Sequence, residues 1–193
     1  MSILANKDTR VVIQGGAAGL NAARRMAEFC YMIKRPLNVD AFVYPPDAGK
    51  TNEVPYGSGL LMTPVYKSVA EATSNHPQIN TTLVYIGADR ACAAGMEALN
   101  DPKIQLVSMI TEGVPEKDAK LLARHAIKLG KTFFVKHGGV QIGSYVYDEP
   151  GGANDPRLVS YGDVPAIAFS EAMGDLARIA GKSEGQQPEA EDA

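Results

Sequence analysis

The feature that most constrains the fold is a repeating unit: a short apolar run, a glycine turn and then a helical pattern. Residues 10–14 form a β-branched run that stops at Gly15 and Gly16, and apolar residues recur at helical spacing over 19–33. Later units predict strands over 39–44, 64–66, 82–86, 105–110 and 132–135, and helices over 68–75, 90–99 and 116–129. This alternation predicts right-handed crossovers, and hence an α/β domain with a doubly wound parallel sheet.

Two stretches give a weaker pattern. Residues 45–63 carry Pro, Gly, Asn and Lys without a period, and we expect a long loop of the functional or mobile kind there. After Lys136, residues 140–148 fit a strand or hairpin, 149–156 a loop, and 166–180 a last helix. Residues 182–193 have almost no apolar side chains, which predicts a disordered acidic tail. We therefore expect one domain over residues 1–181.

Composition excludes several classes of protein. A net charge of −3 and a pI near 5.6 argue against a nucleic-acid binder, which needs a basic face. No apolar run approaches the ~20 residues that span a bilayer, and the first residues lack a secretory signal. Cys30 and Cys92 fall in helical patterns without metal-ligand spacing. The location expected by default is cytoplasmic, with no membrane partner.

The turn after the first strand is the first candidate site. Glycines in the run Gln14-Gly15-Gly16-Ala17-Ala18-Gly19-Leu20 allow close backbone approach, and amides at the next helix start attract phosphate oxygens. The spacing differs from the dinucleotide fingerprint, and Tyr44 stands where NAD binders usually place an acidic residue. The pattern favours phosphate binding, and a purely structural turn is the alternative.

Three further candidates follow predicted strands. Lys50 could neutralise a ligand phosphate, but from the residues alone a solvated surface lysine is favoured. Ile110-Thr111-Glu112 ends a buried strand before a helix that starts with proline, so Glu112 either meets a ligand or caps that helix. His137 lies past the strand predicted over 132–135, where a solvent-facing side chain is favoured over a reactive or phosphate-contacting one. No catalytic triad, metal-ligand cluster or Walker loop is present, so we predict no catalytic or metal-binding residue.

Several segments together resemble the coenzyme A-binding Rossmann domain of the ATP-citrate lyase and succinyl-CoA synthetase α-subunit family. Residues 2–10, followed by Gln14-Gly15, look like the succinyl-CoA synthetase branch. The run Ile110-Thr111-Glu112-Gly113-Val114-Pro115-Glu116 resembles both branches. The resemblance covers about residues 2–135. The segments similar to the ATP-citrate lyase branch are Ala41-Phe42-Val43-Tyr44-Pro45, Pro64-Val65-Tyr66-Lys67, His76-Pro77 and Met96-Glu97-Ala98-Leu99.

The resemblance implies a Rossmann-like fold whose ligand is coenzyme A or an acyl-CoA. It implies that amides of residues 17–20 contact the CoA phosphates, that Lys50 meets a phosphate, and that residues 110–112 line the CoA groove. The candidate binding residues are Gly15, Gly16, Ala17, Ala18, Gly19, Leu20, Lys50, Ile110, Thr111 and Glu112.

The sequence also departs from the family. Ala17, Ala18 and Leu20 stand where relatives carry Thr, Ser or Gln, and the loop around Lys50 lacks the tighter Pro-Gly-Lys-Gly-Gly form. After Val135 the Gly-Pro motif and the ligase domain with its phosphorylated histidine are missing. We therefore expect no catalysis by this chain alone.

Two functions remain open. One is a CoA-binding subunit, or stand-alone CoA-binding domain, of an acyl-CoA synthetase or ATP-citrate lyase type of complex, partnered by an ATP-grasp or ligase chain. The alternative is a non-catalytic paralogue that serves oligomerisation or senses CoA or a nucleotide. Either function implies a homo- or hetero-oligomer. An NAD-dependent oxidoreductase is disfavoured because the acidic ribose partner is missing.

Overall fold

A computed structural model of the chain describes residues 8–137, 140–143 and 160–161, with side chains described up to Val135. The strands are β1 Val11–Gln14, β2 Val39–Val43, β3 Thr51–Tyr56, β4 Gly59–Tyr66, β5 Thr81–Val84, β6 Leu106–Met109, β7 Thr132–His137, β8 Val140–Gly143 and β9 Ser160–Tyr161. The helices are α1 Ala17–Met32, α2 Val69–Asn75, α3 Ala88–Asn100 and α4 Glu116–Lys128, and Pro45–Asp47 forms a 3-10 turn. The predicted helix over 166–180 and the predicted tail over 182–193 lie outside the described residues.

Within these residues, nine strands form one mixed sheet in the order β3-β4-β2-β1-β5-β6-β7-β8-β9. Six strands, from β4 to β7 in that order, run parallel. Numbered among themselves they follow the order 3-2-1-4-5-6 of a Rossmann sheet. The predicted doubly wound, Rossmann-like α/β fold is thus confirmed. β3 at one edge and β8 and β9 at the other add antiparallel pairs to this parallel core. Only two residues separate β3 from β4 and β7 from β8, and so short a connection joins antiparallel strands.

Helices cover both faces of the parallel strands. α1 packs on one face through Ala23, Met26 and Ala27, and α2, α3 and α4 pack on the other. Every residue of β1, β5 and β6 is buried as a result. This explains why these strands are near-continuous apolar runs rather than alternating ones. No helix in the described part of the chain is long and apolar enough to cross a membrane.

Three of the segments that carry the family resemblance meet around α2. The Tyr66 hydroxyl lies 3.0 Å from Nε2 of His76, which follows the last turn of α2. The Glu97 carboxylate accepts a hydrogen bond of 2.7 Å from the backbone N–H of Val69, the first residue of α2. These side chains therefore fix a short helix that seven residues could not stabilise alone.

The predicted long loop over residues 45–63 is wrong, because most of it forms the hairpin β3–β4. The chain reverses at Gly57-Ser58, and Gly57 has φ 61°, the backbone conformation that a tight hairpin turn requires. β3 is an edge strand with no other partner in the described sheet, which is where Pro55 is tolerated. Apolar and polar residues do not alternate along Leu60-Leu61-Met62, because both faces of this end of the hairpin are exposed. The run therefore lacks the usual sequence signal of a strand.

Candidate functional site

The carboxyl ends of β2, β1, β5 and β6 lie side by side at one edge of the sheet. The chain leaves β1 through α1 toward β2, whereas it leaves β5 through α3 toward β6. The direction of winding therefore reverses between β1 and β5. In open α/β sheets the crevice at such a switch point is the usual ligand site.

The glycine turn places α1 very close to the sheet. Gly15 has φ 150°, and a Cβ on it would lie 2.8 Å from the carbonyl oxygen of Tyr85. A Cβ on Gly19 would lie 2.7 Å from Cγ2 of Ile13, so this glycine lets the helix rest directly on β1. Gly15 also donates its N–H to the carbonyl of Val43 at 3.0 Å. The turn is thus held against strands β1, β2 and β5.

The first turn of α1 has no compensation for its positive end. Gly16 is the N-cap and provides no side-chain hydrogen bond, and no acidic residue lies in the first turn. The other described helices differ: α2 is capped by Ser68, and α3 and α4 carry acidic residues in their first turns. Ala17 and Ala18 are exposed and Leu20 is half-buried. Free amides and a helix dipole therefore face the crevice, an arrangement that binds anions.

Lys50 lies on the same edge, in the connection from β2 to β3. It is exposed, and its Nζ forms an ion pair of 2.6 Å with Asp47. Its backbone is fixed on both sides, because its N–H donates to Asp47 and its carbonyl accepts from Val65 at 3.0 Å each. The structure thus places the ammonium on an ordered turn near the end of β2, with a carboxylate as its present partner.

Residues 110–112 lie beyond β6, on the other side of the switch point. Ile110 is half-buried and donates its N–H to the carbonyl of Val84 at 3.0 Å. Thr111 is buried, and its hydroxyl donates to the carbonyl of Ile86 at 2.6 Å. That bond ties the end of β6 to the end of β5. Glu112 is exposed at the rim, just before Gly113 at φ 75°.

Two tyrosines flank the glycine turn and were not predicted as site residues. The ring of Tyr44 lies 3.1 Å from the position that a Cβ on Gly16 would take, and Tyr85 packs against Gly15 from β5. Burial raises the pKa of Tyr85 to about 12, and the charge of Arg25 opposes that rise. A sequence signal existed, since each tyrosine is the first residue after a buried strand.

Gln14 adds a buried polar group below the turn. Its Nε2 donates to Glu97 Oε2 at 3.4 Å. Its Oε1 is buried and has no hydrogen-bond partner among the described residues. The last residue of β1 therefore presents an unsatisfied acceptor next to the switch point.

The last sequence candidate is His137. The expectation that His137 lies past its strand is wrong: its backbone pairs with Val140 between β7 and β8, which extends β7 beyond Val135. Its side chain is outside the described part. In the described residues, no group of three or more His, Cys, Asp or Glu side chains lies close enough to hold a metal ion.

Comparison with known proteins places these features in a family context. No protein-family profile matches the chain. The probable ATP-citrate synthase subunit 1 of Schizosaccharomyces pombe is 27% identical over 180 residues, which are 88% of this chain and 28% of that protein. The probable ATP-citrate synthase of Dictyostelium discoideum is 34% identical over 127 residues, which are 64% of this chain and 20% of that protein.

Solved structures show the same relationship. The ATP citrate lyase of Methanothrix soehngenii, in complex with citrate and coenzyme A, matches with a TM-score of 0.64 and 28% identity. The match covers 68% of this chain and 21% of that chain. A variant of the Methanosaeta concilii ATP citrate lyase, in complex with (3S)-citryl-CoA, matches with the same TM-score and 29% identity. The chain spans only 14% to 28% of the length of the relatives that match its sequence. In both sequence and fold, it is thus homologous to one region of ATP-citrate lyase.

Proposed function

We propose that this chain binds coenzyme A, or an acyl-CoA, across the carboxyl edge of its sheet. The observation that carries the proposal is the uncapped N-terminus of α1 at the switch point, in a chain homologous to a lyase whose structure contains coenzyme A. An anionic ligand would satisfy the free amides and the dipole of that helix.

The phosphates of the ligand would meet backbone rather than side-chain donors. Ala17 and Ala18 have no side-chain donor, so the N–H groups of Ala17, Ala18 and Gly19 are the available hydrogen-bond donors at the turn. Gly15, Gly16 and Leu20 shape this turn around the bound phosphate. Lys50 supplies a compensating positive charge. To contact the phosphate, its ammonium group leaves its present ion pair with the exposed Asp47.

The spread of the candidate residues favours an elongated ligand. The loop with Lys50 follows β2 and residues 110–112 follow β6, which is three strands away in the sheet order. At ~4.8 Å per strand, this separation is roughly 14 Å. A free phosphate cannot bridge it, whereas an ADP-like end joined to a long arm can. Ile110, Thr111 and Glu112 would line the path of that arm.

We further propose that a partner chain supplies the catalytic residues. Among the described residues, both cysteines have a raised thiol pKa because of burial, and no metal cluster is present. We therefore propose a CoA-binding subunit or domain that acts with a ligase or ATP-grasp partner in an ATP-citrate lyase type of complex.

Calorimetric titration with coenzyme A, dephospho-CoA, NAD and ATP tests the proposal, and we expect coenzyme A to bind most tightly. The sharpest variant is Ala18→Asp, with Ala18→Asn as the matched neutral control. A carboxylate in the first turn of α1 should stabilise the fold by about 0.3–1 kcal/mol, because it complements the helix dipole. The same carboxylate should weaken coenzyme A binding at least tenfold, because it repels the phosphate.

A second pair of variants tests the lysine. Lys50→Ala should weaken binding by about fivefold, equivalent to roughly 1 kcal/mol for an exposed charge contact. Lys128→Ala, at the far end of α4, should change nothing. Equal affinity of the Asp and Asn variants at residue 18 would remove the helix terminus from the site, and no heat with any of the four compounds would refute CoA binding.

A further inference from the structure

One face of the parallel sheet is wider than the helix that covers it. α2, α3 and α4 pack on the opposite face, so α1 is the one described helix on this side. A helix with its side chains is about 10–12 Å across, whereas neighbouring strands are about 4.8 Å apart. Because Gly19 rests on Ile13 of β1 and Tyr31 contacts Tyr56 of β3, α1 lies over β1 and β2. On this side, β6 and β7 therefore lie beyond the width of α1.

The α1 side of β5, β6 and β7 is nevertheless buried. The strand register places six side chains there in two rows across the three strands, and each exposes 4% or less of its surface. The three apolar ones belong to the same core cluster as the residues under α1. A segment other than the described helices must therefore cover this surface, which we name the β5–β7 face. Its residues are Leu83, Ser108 and Phe134 in one row and Thr81, Leu106 and Thr132 in the other.

Outside the described residues, the sequence carries one amphipathic pattern long enough to cover this face. Over residues 166–180, apolar side chains recur at positions i, i+4, i+7 and i+11, which is the period of an α-helix. The charged residues of the segment fall on the opposite side of that helix. Residues 1–7 are too few to cover three strands, and residues 144–159 contain prolines and glycines without a helical period. The apolar stripe is Phe169, Met173, Leu176 and Ala180, and the charged residues are Glu171, Asp175 and Arg178.

The segment also starts within reach of the β5–β7 face. β9 is the last strand in the sheet order, and β7 and β6 are roughly 10 and 14 Å from it. Two successive antiparallel pairs make β9 run in the direction of β7, so the chain leaves Tyr161 at the carboxyl edge of the sheet. From Tyr161 to residue 166, an extended chain spans roughly 17 Å. A helix over 166–180, roughly 22 Å long, can then run back along the strands.

We propose that residues 166–180 form a helix that packs on the β5–β7 face of the same chain, beside α1. The helix begins at the carboxyl edge, so Phe169 lies over the row of Ser108 and Phe134, which is the row nearer that edge. Its large apolar side chains fit there because half of the residues of the face are small Ser and Thr. Burial of apolar surface drives the contact. Since the chain covers its own sheet, a partner subunit or a second copy binds elsewhere.

The chain has no tryptophan, so Phe169→Trp in the full-length protein gives a single fluorescent reporter. We expect blue-shifted emission and weak acrylamide quenching in the native protein. Phe133 and Phe134 provide a matched pair of further substitutions, because they are neighbours on β7, are both buried and pack on opposite faces. Phe134→Ala should red-shift the emission and raise the quenching constant at least twofold, because it opens a cavity under the reporter. Phe133→Ala removes the same atoms from the other face and should leave both signals unchanged.

Circular dichroism shows whether each variant is folded, and Phe134→Leu with Phe133→Leu repeats the comparison if an alanine variant unfolds. Emission from the reporter that matches the urea-unfolded chain would overturn the proposal. Equal effects of the substitutions at residues 133 and 134 would overturn it as well. Burial of the reporter that is lost on dilution, together with dissociation of a dimer, would assign the β5–β7 face to a second copy and would overturn it too. None of these readouts depends on coenzyme A.

Discussion

Gly15→Ala should destabilise the fold strongly for two reasons, a close contact with Tyr85 and a backbone angle that favours glycine. The new Cβ would lie 2.8 Å from the Tyr85 carbonyl oxygen and 3.0 Å from its Cβ, and Tyr85 is itself held by a 2.7 Å hydrogen bond to Gln14. The carbonyl oxygen belongs to the backbone and cannot rotate out of the contact, so we assign about 1–3 kcal/mol to overpacking. The φ of 150° adds about 1–3 kcal/mol for a residue with a Cβ. We expect a loss of about 4 kcal/mol, a large part of a typical domain stability.

Two other glycines serve as matched controls for Gly15→Ala. Gly130 has φ 67° and nothing within 4 Å of its Cβ position, so Gly130→Ala should show the conformational cost alone, about 1 kcal/mol. Gly59 has neither a positive φ nor a close contact, since its nearest atom is 3.8 Å away. Gly59→Ala should stay within about 0.5 kcal/mol of the wild type.

Urea unfolding followed by far-UV circular dichroism measures all three variants. Equal losses for Gly15→Ala and Gly130→Ala would refute the reasoning, because the contact with Tyr85 would then cost nothing. If Gly15→Ala folds at low temperature, we also expect it to lose coenzyme A binding, since the turn that carries the free amides must shift.

Three further predictions concern stability. Lys34 has φ 54°, in the left-handed region. Lys34→Gly should therefore raise the free energy of unfolding by about 0.5–1 kcal/mol, seen as a higher urea midpoint, because glycine adopts this conformation without strain; an unchanged midpoint would mean that Lys34 is unstrained. The pKa of Tyr85 is about 12 in the folded protein, against an ordinary 10. The contribution of its neutral hydroxyl to the free energy of unfolding is therefore complete below pH 10 and is lost as pH rises toward 12. The wild type should thus lose about 2 kcal/mol more than Tyr85→Phe over that range, and parallel urea titrations of the two would contradict this. Thr73→Val removes the 2.8 Å hydrogen bond to the buried Asp101 carboxylate and should cost about 1.5–3 kcal/mol, whereas Thr73→Ser should cost less; equal midpoints for the two variants would show that the hydroxyl is dispensable.

The sequence predicts the centre of the fold well because burial there leaves a simple pattern. β1, β5 and β6 are covered on both faces, so charged residues are absent from them and apolar and polar residues do not alternate. α4 buries one stripe that includes Ala119 and Leu122. The glycine turn follows from the same reasoning, because a strand that feeds a helix at once needs glycine. These local patterns are sufficient for the fold class and for the turn.

The hairpin and the tyrosines are harder to predict because they depend on distant residues. β3 and β4 each carry a proline, and β3 lies at the edge of the sheet. The two strands therefore lack both the composition and the alternation of a usual strand. The contact of Tyr44 with Gly16 joins the segments that follow β2 and β1, and the bond from Thr111 to Ile86 joins those that follow β6 and β5. No periodicity within one segment reports on such contacts. The signals that remained were the Gly57-Ser58 turn and the aromatic residues after the strands.

Helix α1 also has a mechanical consequence. Its 16 residues make a helix of ~24 Å that carries the free amides at one end, and Tyr31 and Met32 at the other. Gly19 packs directly on Ile13 and leaves no free volume between α1 and β1. The helix therefore cannot shift or rotate without displacing the sheet. Helix and strand therefore move as one body, and we expect the glycine turn to keep its shape whether or not a ligand is bound.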